Sequence, residues 1–199
     1  MDYNIKNVKV HFHISVQSGV DFNNHPHSCV STKKHINFIT IRLGRRVTYT
    51  VFPESGHVNA TGIKDFDSIE HEVNNFTSTY NLPPIPLSAI SIDNSTATGR
   101  IKSACRIQFP PLVRTAQNTE LKYVINIRIR PHYFPAALIR PVRRTVPTTY
   151  FPATIVLFAN GKFNILGASS RGQVNNSIDV LNSLLHHQQH EQQHEPQLC

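Results

Sequence analysis

Residues 51–64, VFPESGHVNATGIK, reappear loosely as residues 157–169, LFANGKFNILGAS. Each copy runs from an apolar residue and Phe through a short Gly turn and an apolar stretch to a second Gly. A helix-like pattern follows each copy, and an Ile-x-Asn precedes each at a distance (Ile5-Lys6-Asn7 and Ile92-Asp93-Asn94). A chain made of two copies of one unit is constrained to a dimer-like or saddle-shaped sheet, and this limits the fold far more than composition does.

The first copy opens with Val8, Val10, Phe12, Ile14 and Val16 in strict alternation, the period of a half-buried strand. INFITIRLG and VTYTVF read as strands joined at Gly44-Arg45-Arg46, Pro53 to Gly56 as a turn, and HVNATG as a third strand. Asp65 or Asp67 is placed to cap a helix with Ile69, Val73 and Phe76 on one face, ended by Pro83 and Pro84. In the second copy AISIDNSTATGRI and KYVINIRIR read as strands. TIVLF and KFNILG are joined by the turn Ala159-Asn160-Gly161. A closing helix aligns Val174, Ile178, Leu181 and Leu185. This divides the chain into a first repeat at 1–84, a second at 85–185 and a polar, disordered tail at 186–199.

The offsets locate an insertion. Asn7 and Asn94 lie 87 residues apart and Arg42 and Arg130 lie 88 apart, whereas Phe52 and Phe158 lie 106 apart and Gly62 and Gly167 lie 105 apart. Two constant offsets imply one inserted loop, assigned to 131–152, with five prolines and with Arg140, Arg143 and Arg144. A second register aligns Phe134-Pro135 through Arg140 with the first half's strand. The first register is preferred because it matches KYVINIRIR to KHINFITIR.

The 199 residues carry a formal charge of +8. Clustered arginines over 100–144 favour a polyanion partner, most often nucleic acid. No apolar run reaches the length of a membrane helix, and the N-terminus shows no secretory signal, so the expectation is a nuclear or cytoplasmic protein that is not secreted. Three unpatterned cysteines fit reduced thiols. No nucleophile elbow, HExxH or P-loop occurs, so no enzyme activity, cofactor or small-molecule substrate is expected. The tail histidines 186, 187, 190 and 194 read as part of a polar tract rather than as metal ligands.

Ile-x-Asn at the start of each half resembles the TATA-box-binding protein family. So do Phe158-Ala159-Asn160-Gly161-Lys162 in a hairpin, and Thr61-Gly62-Ile63-Lys64 with Leu166-Gly167-Ala168-Ser169. The resemblance covers roughly residues 4–185. It implies an α+β fold, a pseudo-symmetric two-repeat saddle with a curved antiparallel sheet and helices on the convex face. It further implies a transcription initiation factor that binds and bends A·T-rich double-stranded DNA in the minor groove. Asn7 and Asn94 would read groove acceptors, Phe52 and Phe158 would wedge between base steps, and Thr61 would lie on the groove floor. Arg42, Lys64, Arg130 and Lys162 would meet phosphate; apart from the resemblance, Arg140, Arg143 and Arg144 of the arginine-rich loop are further candidates for contact with nucleic acid or a partner. Transcription factors or RNA polymerase would be the partners, in the nucleus or at a cytoplasmic site of viral transcription.

Several positions depart from the family pattern. Ile36 and Val124 stand where a second Phe is found in each half, and Leu166 stands for the second Thr. His57 replaces a phosphate-contacting Lys, the first hairpin is one residue longer, and the acidic stirrup is replaced by the basic RIRPHYF. Such divergence would suit a viral or parasite relative. It also suits an alternative role, a saddle-fold interaction module that docks transcription machinery without strong DNA binding.

Overall fold

The computed structural model describes residues 1–15, 20–24, 26, 28–33, 36–44, 46–101, 106–118, 125–130, 134–142 and 153–194. Ten strands and three helices follow in the order β1 (Asp2–His13), β2 (Ser28–Lys33), β3 (Ile36–Leu43), β4 (Val47–Phe52), β5 (His57–Ile63), α1 (Ile69–Thr79), β6 (Ser91–Arg100), α2 (Phe109–Asn118), β7 (Ile125–Arg130), β8 (Phe134–Pro141), β9 (Thr154–Phe158), β10 (Lys162–Ala168) and α3 (Arg171–His194). The strand order is β2-β3-β4-β5-β1-β6-β10-β9-β8-β7. Each half thus repeats one pattern: four strands in sequence, with the half's first strand placed after its last. This is the α+β, two-repeat arrangement that the resemblance implied.

The chain divides into two compact units, Ile5–Ser95 and Met1–Asn4 with Thr96–Cys199. The break falls at residue 95 rather than at the expected 84, because Ile85 and Ile90 are buried in the core of the 5–95 unit.

In the 5–95 unit, β3, β4 and β5 form an antiparallel meander and β5 pairs with β1. Alternation sends Val8, Val10 and Phe12 of β1, Val47, Tyr49 and Val51 of β4, and Val58 and Ala60 of β5 into one core. Helix α1 covers that core with Ile69, Val73 and Phe76, the three residues its 3.6-residue period places on one face. Tyr49 ties sheet to helix: its ring stacks on Phe76 at 4.6 Å, and its hydroxyl donates to the Glu72 carbonyl at 2.7 Å. Burial, with the Glu72 carboxylate nearby, pushes that hydroxyl's pKa well up.

Both ends of α1 differ from expectation. A 3₁₀ turn at Phe66–Ser68 precedes it, and neither Asp65 nor Ser68 makes a side-chain cap hydrogen bond. At the other end the helix stops before the prolines. Asn81 adopts a left-handed φ of 54°, and the Leu82 N–H donates to the Thr77 carbonyl at 2.8 Å, which closes the last turn.

In the 96–199 unit, β7, β8, β9 and β10 pair antiparallel in sequence order. Ile139, Ile155, Leu157, Phe163 and Ile165 are buried in this unit, as are Val174, Leu181 and Leu184 of α3. Helix α2 buries Leu112, Thr115 and Ala116. Its Pro110 and Pro111 lie in the first turn, where a missing N–H leaves no helical bond unmade.

Two expectations are corrected here. Residues 134–141, assigned to an inserted loop 131–152, form strand β8 between β7 and β9. Pro135 and Pro141 stand near its two ends, where a missing donor is tolerated. Residues 186–194 were expected in a disordered tail, yet they continue α3 to His194. Residues 195–199 lie outside the described residues.

Candidate nucleic-acid interface

Each unit has a sheet face turned away from its core. In the 5–95 unit that face carries Asn7, Lys9, His11 and His13 from β1, Phe38, Thr40 and Arg42 from β3, Thr48, Thr50 and Phe52 from β4, and His57, Asn59 and Thr61 from β5, all half-buried or exposed. In the 96–199 unit the matching face carries Arg128, Leu138, Arg140, Phe158, Asn164 and Leu166, half-buried or exposed, and Val156, which is buried. The face follows from the period of two along paired strands: Leu138 stands opposite Val156, and Val156 opposite Asn164.

Phe52 and Phe158 therefore lie outside both cores, each at the end of the penultimate strand of its half. Phe38 lies beside Phe52, with ring centroids 6.0 Å apart. Both hairpins that follow turn on a left-handed glycine. The Gly56 N–H donates to the Phe52 carbonyl at 2.9 Å, and the Gly161 N–H to the Phe158 carbonyl at 3.0 Å. In the second hairpin Asn160 Oδ1 also accepts from the Lys162 N–H at 3.1 Å.

Strand pairing corrects the register drawn between the halves. Ile41 stands opposite Tyr49 in the first half, and Ile139 opposite Ile155 in the second, so β3 corresponds to β8 rather than β7. The counterpart of Arg42 is then Arg140, 98 residues on, and not Arg130. Phe134 takes the position of Ile36, six residues before that arginine, so the second half keeps the aromatic residue that Val124 was thought to replace. Phe134 is placed here by its backbone, opposite Arg130. The extra residues fall in two places, between β6 and β8 and between β8 and β9, instead of in one loop.

Asn7 has a structural duty. Thr61 and Gly62 together oppose one residue of β1, a bulge that frees a backbone donor. Asn7 Oδ1 accepts that Gly62 N–H at 2.7 Å, which leaves the amide NH2 as the group able to donate elsewhere. Gly62 has φ of +97°, and a Cβ there would come within 2.2 Å of the Arg46 carbonyl oxygen. Gly167, at φ of +92°, would meet nothing within 4 Å. Gly62→Ala should therefore destabilise the 5–95 unit by about 3 kcal/mol, and Gly167→Ala should cost about 1 kcal/mol from backbone strain alone. Urea denaturation of the two variants checks the difference.

The other candidates are more scattered. Thr61 is half-buried, and its hydroxyl donates weakly to the Thr48 carbonyl at 3.4 Å. Lys64 is exposed but folds back so that Nζ donates to the Lys6 carbonyl at 2.6 Å. Arg42, Arg140 and Lys162 are exposed, and Asn94 is exposed on β6. Arg130 is placed by its backbone at the end of β7. Arg143 and Arg144 lie outside the described residues.

His11, His13 and His57, the last standing for the family's lysine, meet on the open face of the 5–95 unit. They form one imidazole cluster beside Asp93. The ring centroids of His57 lie 5.3 Å from His11 and 5.0 Å from His13. Asp93 receives Lys9 Nζ at 2.9 Å and His11 Nδ1 at 2.5 Å. Partial burial pushes the Asp93 carboxyl up, but the hydrogen bonds and charges of Lys9 and His11 outweigh it and hold the carboxyl below its usual range. The alternation of His11 and His13 was the signal available in the sequence. Their convergence with His57 is a tertiary fact. Among the described residues no group of three or more His, Cys, Asp or Glu is placed to hold a metal ion, and no described helix is long and apolar enough to cross a membrane.

The solved structure of Methanococcus jannaschii TBP superposes on this chain with a TM-score of 0.64, at 20% identity, covering 96% of this chain and 99% of the other. The chain has a TBP-like fold. No protein-family profile and no curated protein matches its sequence. At that identity the likeness concerns architecture. The side chains on the open faces are this chain's own.

Proposed function

We propose that this chain is a TBP-like transcription initiation factor that binds duplex DNA through the minor groove and bends it. The observation that carries the reading is the repeated placement, in each unit's open face, of a half-buried phenylalanine at a strand end with an exposed arginine on the neighbouring strand: Phe52 with Arg42 and Phe158 with Arg140. Apolar wedges unstack base steps and arginines meet phosphates, so this pairing suits a bent groove. The threonines and the Asn7 amide present small groups and a donor to the groove's acceptors, which favours A·T-rich sites. Transcription factors or RNA polymerase are the protein partners on this reading, and the site of action is the nucleus or a cytoplasmic site of viral transcription. The role is one of binding and is not enzymatic.

A second reading has one observation in its favour. Asp93 puts a carboxylate on the face that would meet DNA. An interaction module that docks transcription machinery without strong DNA binding would tolerate that charge.

A mobility-shift titration with an A·T-rich duplex at about 0.15 M salt separates the two. Asn7→Asp keeps an acceptor for the Gly62 N–H but removes the donor, so it tests binding without opening the bulge. Combined with Asn94→Ala it should weaken the complex at least tenfold, about 1.4 kcal/mol or more. No shift by the wild-type chain, with capture of polymerase or a factor intact, favours the second reading.

A further inference from the structure

His11, His13 and His57 meet on one open face, and a single neutral tautomer meets both side-chain contacts of His57. His57 Nε2 lies 3.3 Å from Asn59 Oδ1, and His57 Nδ1 lies 3.4 Å from His13 Nε2. One tautomer satisfies both contacts: Nε2–H of His57 donates to Asn59, and Nε2–H of His13 donates to the bare Nδ1 of His57. His11 donates Nδ1–H to Asp93 whether neutral or protonated, and its Nε2 is an acceptor only in the neutral form. The neutral cluster therefore holds acceptor nitrogens on a face that, on the reading above, meets a groove floor made of acceptors.

We infer that this cluster is a proton-linked element of the DNA-binding face, in which protonated His11, His13 and His57 donate to minor-groove acceptors and bring binding charge. The inference rests on the proposed DNA-binding role. Histidine is the side chain whose charge changes between pH 5 and 8, and an imidazolium turns each acceptor nitrogen into a donor. Among the described residues the charged neighbours are few. Lys9 and Asp93 offset one another, and Glu54 is the only charged residue of the β4–β5 hairpin. Each proton taken up adds one positive charge beside Phe52, whose ring lies 5.9 Å from His57.

The sign follows from linkage. DNA favours the protonated form, so the cluster's titration moves upward in the complex. The gain in affinity is complete below the titration of the free protein and is lost as pH rises through that of the complex. The wild-type chain should bind an A·T-rich duplex about tenfold more tightly at pH 5.5 than at pH 7.5 at fixed ionic strength.

Fluorescence anisotropy against a labelled A·T-rich duplex, from pH 5.5 to 8, tests this on the full chain. The triple variant H11Q/H13Q/H57Q should bind with little pH dependence. The single variant H57Q should lose part of the slope, and it removes only one side chain of the cluster. Imidazole resonances followed by NMR should titrate at higher pH when DNA is added, a shift that a merely structural role would not produce. An unchanged slope in the triple variant, or ring titrations unmoved by DNA, overturns the inference and leaves DNA binding standing. Absence of wild-type binding at every pH overturns the DNA-binding role and this inference with it.

Discussion

Alanine at Phe76 should lower the stability of the 5–95 unit by about 4 kcal/mol. The ring is fully buried and lies at the junction of helix and sheet. Four aromatic neighbours surround it: Tyr49 at 4.6 Å, Tyr80 at 5.2 Å, Phe12 at 5.9 Å and Phe22 at 6.3 Å between centroids. Truncation removes both the ring's transfer from water and the contacts of four rigid partners, which cannot rotate into the space without leaving their rotamers. Phe76→Leu keeps most of the volume and should cost less than about 1.5 kcal/mol. Denaturant titration followed by tyrosine fluorescence reads both. A loss below 1 kcal/mol for F76A would mean that α1 is not the lid of this core.

Phe76 was legible in the sequence because Ile69, Val73 and Phe76 keep one helical period. The hairpins β3–β4, β4–β5 and β9–β10 were legible for a like reason: apolar alternation leads into turns with glycine at the left-handed position. The elements that escaped lack such local signals. Strand β2, SCVSTK, is a polar edge strand with Val30 60% exposed, so no buried face imposes alternation on it. Helix α2 opens on Phe109-Pro110-Pro111, and strand β8 has proline at its second and last positions. Proline reads as a breaker until it is known to occupy a first turn or a strand end.

The register error between the halves has a related cause. INIRIR of β7 and INFITIR of β3 share their alternation and an Ile-Arg ending, and neighbouring strands of one sheet carry like patterns because they cover one core. Sequence spacing could not tell which of two adjacent strands matched. Cross-strand pairing does, and it restores Phe134 and Arg140 as counterparts of Ile36 and Arg42. At the candidate site the repeated Asn, Phe and Gly positions were visible as repetition. The bond from Gly62 to Asn7, the pairing of Asp93 with Lys9 and the approach of His57 to two β1 histidines join residues 44 to 84 positions apart, and no local pattern marks them.

On the proposed DNA-binding role, the double variant Phe52→Ala with Phe158→Ala should abolish most of the DNA bend and weaken binding by about 30- to 100-fold, or roughly 2 to 3 kcal/mol. Neither ring belongs to a core, so folding should survive the change: both are only half-buried, at strand ends whose hairpin bonds are made by backbone groups. On that reading, what disappears is the energy of inserting apolar surface between base steps, and with it the bend that lets a sheet follow the duplex. Arg42, Arg140 and Lys162 remain exposed, so the residual complex should keep the steep salt dependence of phosphate contacts. Fluorescence resonance energy transfer between the two ends of a short A·T-rich duplex reads the bend, and a salt titration of the same complex reads the contacts. A variant that bends DNA as the wild type does would assign Phe52 and Phe158 to lining the face rather than to wedging, and would leave Phe38, whose ring lies beside Phe52, to take that part.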